Sequence, residues 1–457
     1  MRSILTFTVT AAFAAALPAQ WALLTPTTSP SQRRSGAAAF DAANNRLIVY
    51  GGVSPTPSVI LPETWSFNGT WTLLSPPGGT VGRWGHSLVR NTTNNRLVTF
   101  GGRAPTINGY ASDTYEWTGS AWATIPTPTA PSARHLYGLS FDQTRQVVVL
   151  FGGRTANATL NDTWEYNGIT WTPRTLPTTP PPREEMAMVY DVGLHATVLF
   201  GGFDRSTNTV LGDTWTYDGT DWVEVLATSS PSARYRTATI YDSFRQRVVL
   251  FGGFDGTNIA HDTFQFTGET WNAVSTGSNV PQAATETLHG YDPVRRKFVL
   301  FGGYGGTFSN QTWEFTGSST GFFSTFGTPC ETAAGEATLT STTPTLGQSW
   351  NLTINNLPVD LEFALVTLGF SNQTWNSLPL PFDLAPIGLP GCNLLVAADV
   401  INVVLASGGT AVHNLAVPNQ PSLLNLTIFA QGVLGDIIGT EFAFVGTTKG
   451  GRAVLGN

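Results

Sequence analysis

The stretch from Val147 to Trp171, VVVLFGGRTANATLNDTWEYNGITW, sets the hydrophobic pattern that governs most of the chain. A solid apolar run ends in Gly152-Gly153, and a polar loop follows. The alternating segment Asp162–Tyr166, a turn glycine at 168 and a second tryptophan at 171 complete it. An unbroken apolar run of this length predicts a strand covered on both faces, and the alternation predicts a second strand beside it. Double glycines recur at Gly51-Gly52, Gly101-Gly102, Gly152-Gly153, Gly201-Gly202, Gly252-Gly253 and Gly302-Gly303, spaced 49 to 51 residues apart. Six copies at that period predict one supersecondary unit repeated six times.

Each unit reads as four strands, a to d. Strand a runs from an arginine to an aromatic–Asp pair, as from Arg134 to Phe141-Asp142. Strand b ends at the glycines. Strand c carries Glu63-Thr64-Trp65, Asp113-Thr114-Tyr115, Asp162-Thr163-Trp164, Asp213-Thr214-Trp215, Asp262-Thr263-Phe264 or Gln311-Thr312-Trp313. A hairpin glycine leads into strand d, which opens with Trp71, Trp122, Trp171, Trp222 or Trp271. One twisted four-stranded sheet cannot bury both faces alone. Stacked radially, such sheets can, with the tryptophans filling the wedges between them. The tryptophans are therefore scaffold rather than sugar platforms.

Apolar strand, double glycine, an aromatic about a dozen residues on and a tryptophan beyond it: this pattern resembles the kelch repeat over about two-thirds of the chain. The resemblance implies a six-bladed β-propeller and, at the mouth where strands a begin, a common binding surface. The sixth unit lacks its second tryptophan, whereas QWALLTPTTSPSQR at Gln20 matches DWVEVLATSSPSAR at Asp221. Trp21–Leu24 is thus expected to supply the missing strand d of blade six, with Phe322–Phe326 as the competing candidate. The propeller is expected to occupy 20–323. Residues 324–457 lose the repeat but keep short alternating apolar stretches, which predict an all-β second domain, an antiparallel β-sandwich. FGTPC at Phe326 and LPLPFDLAPIGLPGCNLLVAADV at Leu378 are similar to a C-terminal module of secreted proteins in planctomycete-type bacteria.

Composition narrows the setting. Residues 1–19 combine Arg2, an apolar run from Ile4 to Leu17 and the small residue Ala19, the pattern of a secretory signal peptide. No stretch is long and apolar enough to predict a membrane span. A formal charge of -7 with only two lysines, Lys297 and Lys449, argues against a nucleic-acid partner. The two cysteines, Cys330 and Cys392, are expected to form a disulfide in an exported chain, worth about 4 kcal/mol in the chain-entropy model.

Catalytic signatures are weak. The six histidines form no ligand-spaced pair, so no metal and no cofactor is expected, and no nucleophile or phosphate-loop motif occurs. The Asp-bearing segments FDRSTN at Phe203 and FDGTN at Phe254 read as Asx turns rather than calcium loops. What differs between repeats is more informative. The residue after the leading arginine column is Arg34, Trp84, His135, Glu184, Tyr235 and Thr285. The residue after each double glycine is Val53, Arg103, Arg154, Phe203, Phe254 and Tyr304. Antiparallel pairing of a with b brings these columns to one mouth. Guanidinium groups, aromatic faces, a carboxylate and an imidazole suit a sugar or an acidic glycan, and the expected partner is an extracellular glycan or protein. The constant arginines are expected to bond carbonyls of the neighbouring blade. Two rival readings remain: a carbohydrate mutarotase using Glu184, Glu185, Glu286 or His135 with Arg34, Arg154 or Arg236, and a structural cell-surface protein.

Overall fold

The computed structural model describes residues 19–457, apart from 56–58, 75–80, 105–108, 283, 319, 328, 333–334, 360, 388, 390 and 439–440. All but the last residue of the expected signal segment lies outside the described residues. Six four-stranded antiparallel sheets form a six-bladed propeller. Blade three is typical: Gly138–Asp142, Val147–Arg154, Thr159–Tyr166 and Trp171–Arg174 pair in sequence order. Strand b is buried along almost its whole length because it is sandwiched between two neighbouring blades. In blade six the outermost strand is Gln20–Leu24, paired antiparallel with Thr312–Thr316 so that Leu23 faces Trp313. Phe322–Phe326 instead pairs with Gly450–Val454 in the second domain.

The double glycines form the joint between blades. The first glycine of each pair has φ between 52° and 74°, and the second between 86° and 115°. The second glycine donates its N–H to the backbone carbonyl of the next blade's leading residue. Gly52 bonds Arg83, Gly102 bonds Arg134, Gly153 bonds Arg183, Gly202 bonds Arg234, Gly253 bonds Ala284 and Gly303 bonds Arg33, all at 2.9–3.0 Å. A Cβ on the first glycine would lie only 2.3–2.8 Å from that same carbonyl oxygen. Both the backbone angle and the close approach therefore require glycine.

The arginine side chains work differently from expectation. Each turns back into its own blade, not into the neighbour. Arg134 Nη1 donates to Gly152 O at 3.0 Å and to Asp162 Oδ1 at 2.6 Å, and Nη2 donates to Asp162 Oδ2 at 2.8 Å. Arg33, Arg83, Arg183 and Arg234 repeat this with Glu63, Asp113, Asp213 and Asp262. The reason is reach: the backbone carbonyl already touches the adjacent blade, so the side chain is directed to strands b and c of its own sheet. The guanidinium is buried in every case, and the paired carboxylate supplies the countercharge that burial demands. Blade six has Ala284 and Gln311 at these positions and so lacks the pair.

The strand-d tryptophans make a second set of joints. Trp122 Nε1 donates to Thr64 Oγ1 at 2.9 Å, Trp171 to Thr114 at 2.9 Å, Trp222 to Thr163 at 3.0 Å and Trp271 to Thr214 at 3.0 Å. Trp71 reaches Thr312 at 2.9 Å, and Trp21 reaches Thr263 at 3.1 Å. Each ring packs on the aromatic that ends strand b of the preceding blade, as Trp171 on Phe100 and Trp21 on Phe251. The invariant threonine of strand c is thus an acceptor for the next blade's indole, which satisfies a buried N–H.

The second domain is all-β, as its alternating pattern predicts. Its eight-stranded antiparallel sheet nearly closes on itself around Trp350, Leu352, Ile354, Val366 and Leu434. The NLLVAADV run differs from expectation: only Asn393–Leu394 is strand. Leu395 donates its N–H to Gln431 Oε1 at 2.8 Å, and Val396 is fully buried, so apolar content here marks a packed irregular segment. Cys330 and Cys392 form a disulfide and join that segment to the sheet. The domain rests on blades four and five. Buried Arg452 donates to Asp191 Oδ1 at 3.3 Å and to Gln246 O at 2.5 Å. Gly193 leaves room for it, since a Cβ there would lie 2.1 Å from the guanidinium carbon.

Deleting Gln20–Leu24 exposes the edge of Thr312–Thr316 and empties the slot of buried Trp21. Loss of a buried tryptophan alone costs about 3–5 kcal/mol, so thermal unfolding should show a large drop in melting temperature. An unchanged melting temperature would contradict this closure.

Candidate functional site

The two variable columns meet residue by residue. Isolated bridges pair Arg34 with Val53, Trp84 with Arg103, His135 with Arg154, Glu184 with Phe203, Tyr235 with Phe254 and Thr285 with Tyr304. Strand a itself begins four or five residues later than the leading residue, because a left-handed residue interrupts the extended chain. These residues are Ser35, Gly85, Leu136, Glu185, Arg236 and Glu286, with φ between 53° and 64°. A non-glycine residue in that region costs roughly 1 kcal/mol or more. The geometry is held by a closed ring of backbone hydrogen bonds around the throat. Each N–H donates to the same position of the preceding blade, from Leu136 to Gly85 at 2.6 Å to Glu286 to Arg236 at 3.4 Å, and Ser35 completes the circle on Glu286 at 2.8 Å. The ring escaped sequence reading because backbone bonds need no particular side chain.

The side chains at the mouth fall into three groups. In blades four and five, Phe203 stacks on Tyr235 at 5.1 Å between ring centres, and Phe254 meets Tyr235 edge-on. Glu184 lies beneath this surface, fully buried, and accepts from Arg205 Nε at 3.0 Å and Nη2 at 2.6 Å, with Arg154 Nε at 4.0 Å. Arg205 sits in the FDRSTN turn. Asp204 accepts from the Ser206 backbone at 2.9 Å, and Asp255 likewise from Thr257 and Asn258 at 2.7 Å, so both segments are Asx turns.

The second group surrounds His135, itself buried. Its Nδ1 is 3.2 Å from Arg154 O, and its ring meets Trp84 and Tyr110 edge-on. Burial, assisted by nearby arginines, pulls its pKa down to about 4, so the imidazole is neutral. Arg103 lies over both Trp84 and Tyr110, 5.7 Å from each ring centre.

The third group is a charge cluster at the throat. Arg236 Nε donates to both oxygens of Glu185 at 2.8 and 2.9 Å, and its Nη1 lies 3.0 Å from Glu286 Oε1. Arg34 Nη1 reaches the same Glu286 oxygen at 3.0 Å while lying over Tyr304 and Phe308. Ser35 Oγ donates to Glu286 Oε2 at 2.5 Å. Burial pushes the Glu185 carboxyl up to about 7. Arg236 pulls it down, and Glu286 pushes it further up by repulsion.

A cavity of about 120 Å³ is lined by Glu185, Arg236 and Glu286 of this cluster, and two larger ones lie near it. One of about 460 Å³ lies between blades six, one and two, bordered by Arg34, Trp84, Arg103, Glu286, Ile60 and Phe308. The other, about 540 Å³, is the central channel, walled by strands a of all six blades. His86 faces it with neither ring nitrogen hydrogen-bonded among the described residues, and burial lowers its pKa to about 3. Among the described residues, no three His, Cys, Asp or Glu side chains group closely enough to hold a metal ion, and no helix is long and apolar enough to cross a membrane.

Residues 63–225 match the family model described as the KLHDC2/KLHL20/DRC7 Kelch-repeats domain. The matched span runs from strand c of blade one to the end of strand d of blade four. No curated protein matches the chain.

The Glu185 carboxyl yields a pH test. Its ordinary value is 4.5 and its folded value about 7, so the folded protein binds this proton more tightly than the unfolded chain. That contribution is fully present below pH 4.5 and is lost as the pH rises through 7. At about 1.4 kcal/mol per unit, the cost above pH 7 reaches roughly 3 kcal/mol. Glu185→Gln mimics the protonated form. It should match the parent's melting temperature near pH 4.5 and exceed it by several degrees at pH 8. A difference independent of pH would contradict the assignment.

Proposed function

We propose that this chain is an exported binding protein whose mouth, where strands a begin, recognises an extracellular glycan or protein. The observation that carries the reading is the pairing of two variable columns, one residue from each directly bridged to one from the other in all six blades, on a scaffold that is otherwise repeated. Kelch propellers typically serve as protein-binding scaffolds, and divergence on a fixed repeat is how such a scaffold gains a specific surface. Export is supported by the signal-like N-terminus, by the disulfide, which belongs to an oxidising compartment, and by the likeness of the second domain to modules of secreted bacterial proteins.

A second reading is favoured by one observation: a buried carboxyl held near neutrality and facing an arginine in the throat, as Glu185 faces Arg236. That is the equipment of a general acid–base group acting on a sugar. Anomer exchange of reducing sugars, followed by NMR and abolished in Glu185→Gln, would be its mark.

The binding reading is tested with the chain from Gln20 onward on glycan and extracellular-protein arrays, followed by affinity and melting measurements on variants. Arg154→Ala and Trp84→Ala should weaken binding by about 1.5–3 kcal/mol while the fold persists. Trp171→Ala should instead destabilise by about 3–5 kcal/mol through its cavity. Normal binding by both mouth variants would rule out this mouth and direct attention to the second domain. Recovery of the chain only from the cytoplasm, with Met1 retained, would refute export.

A further inference from the structure

We infer that the cavity between blades six, one and two is a uronate subsite, which takes the carboxylate-bearing pyranose of an acidic glycan with Arg103 as its charge partner. The inference rests on the mouth being a recognition surface and goes further by naming the chemistry of one part of it.

Five guanidinium groups gather at the mouth, and four are engaged with carboxylates. Arg34 and Arg236 share Glu286, Arg236 also holds Glu185, and Arg154 and Arg205 flank Glu184. Arg103 makes no ion pair among the described residues. Its guanidinium is braced over Trp84 and Tyr110 instead, beside the cavity. Aromatic faces position a guanidinium without consuming its N–H donors, which leaves its planar fork free for a two-point bond to a carboxylate.

The rest of the cavity suits a sugar ring. Its volume of about 460 Å³ is in the range of small-ligand sites, about 300–1,000 Å³. Trp84 and Phe308 offer aromatic surface to the C–H face of a pyranose. Glu286 lies at the border and is neutralised by two arginines. Among the described residues its Oε2 accepts only from Ser35, so one lone pair remains for a sugar hydroxyl. Two arginines (Arg34 and Arg103) line the cavity against one carboxylate (Glu286). The subsite is therefore positive within a chain of formal charge -7. One anionic group beside neutral hydroxyls fits this balance, because among the described residues only the Arg103 guanidinium at the mouth is left without a carboxylate.

The test uses calorimetry with the chain from Gln20 onward. The probes are tetramers of galacturonate, glucuronate and mannuronate, their methyl esters, and a sulfated galactan oligomer. At least one uronate tetramer should bind. Methyl esterification should weaken it ten-fold or more. Arg103→Gln should lose the same factor for the acid form and show no further loss on esterification, because the charge partner is already gone. Equal binding of acid and ester, an Arg103→Gln variant with unchanged affinity, preference for the sulfated oligomer, or no uronate bound would each overturn the subsite. Failure of the subsite is distinguishable from failure of the mouth. A neutral glycan or a protein that is sensitive to Arg154→Ala but not to Arg103→Gln leaves the mouth reading standing. A uronate that binds independently of Arg154, Trp84 and Arg103 removes both.

Discussion

Each blade hangs on the next through a backbone hydrogen bond that only glycine permits. The second glycine of each pair must donate sideways to the next blade, and the first must let that blade's carbonyl approach to within a distance no Cβ tolerates. With the chain turned this way, the next arginine is delivered with its carbonyl outward and its guanidinium inward. That guanidinium is buried, so it must have a carboxylate, and strand c supplies one at a fixed place. The tryptophan–threonine bond adds a second connection further out on the blade. Three constraints, each local and each repeated, thus position the six sheets.

Because these joints satisfy their own donors and acceptors, the mouth is released from structural duty. The two columns that bridge strands a and b need only extended backbone, which accepts arginine, tryptophan, glutamate or tyrosine alike. Just inside them the throat ring accepts serine, glycine, leucine, glutamate or arginine for the same reason: its bonds are made by backbone. Charge then accumulates where fold imposes least. The Arg34–Glu286–Arg236–Glu185 chain crosses four blades, and burial of Glu185, opposed by Arg236 and aided by repulsion from Glu286, keeps that carboxyl close to its proton at neutral pH.

Features that recur through side chains were readable from sequence. The six glycine pairs, the strand-c aromatics and the strand-d tryptophans mark the blades because each does the same physical task six times. The bridging columns were readable by their disagreement. The throat ring was not, since Ser35, Gly85 and Leu136 have nothing in common but a backbone angle. The start of strand a was placed too early for the same reason. Tyr110, Phe308 and Arg205 complete the mouth from loops whose register no repeat fixes. In the second domain, which has no repeat to compare, apolar runs were ambiguous. Leu395–Ala397 is buried by packing rather than by sheet pairing, Ala397 in the cluster around Cys392 and Leu395 and Val396 against Phe429, while Glu441–Val454 forms a long strand despite its glycines.

The claim on which the rest depends is that the glycine joints close into a ring with no weak seam, even though blade six lacks the arginine–carboxylate pair. Native-state hydrogen exchange at the amides of Gly52, Gly102, Gly153, Gly202, Gly253 and Gly303 measures this directly. All six should exchange only as fast as the whole propeller unfolds, because opening any one joint breaks the ring. If Gly253 or Gly303, the two joints of blade six, exchanges orders of magnitude faster than the others, the propeller opens locally at that blade and the account is wrong.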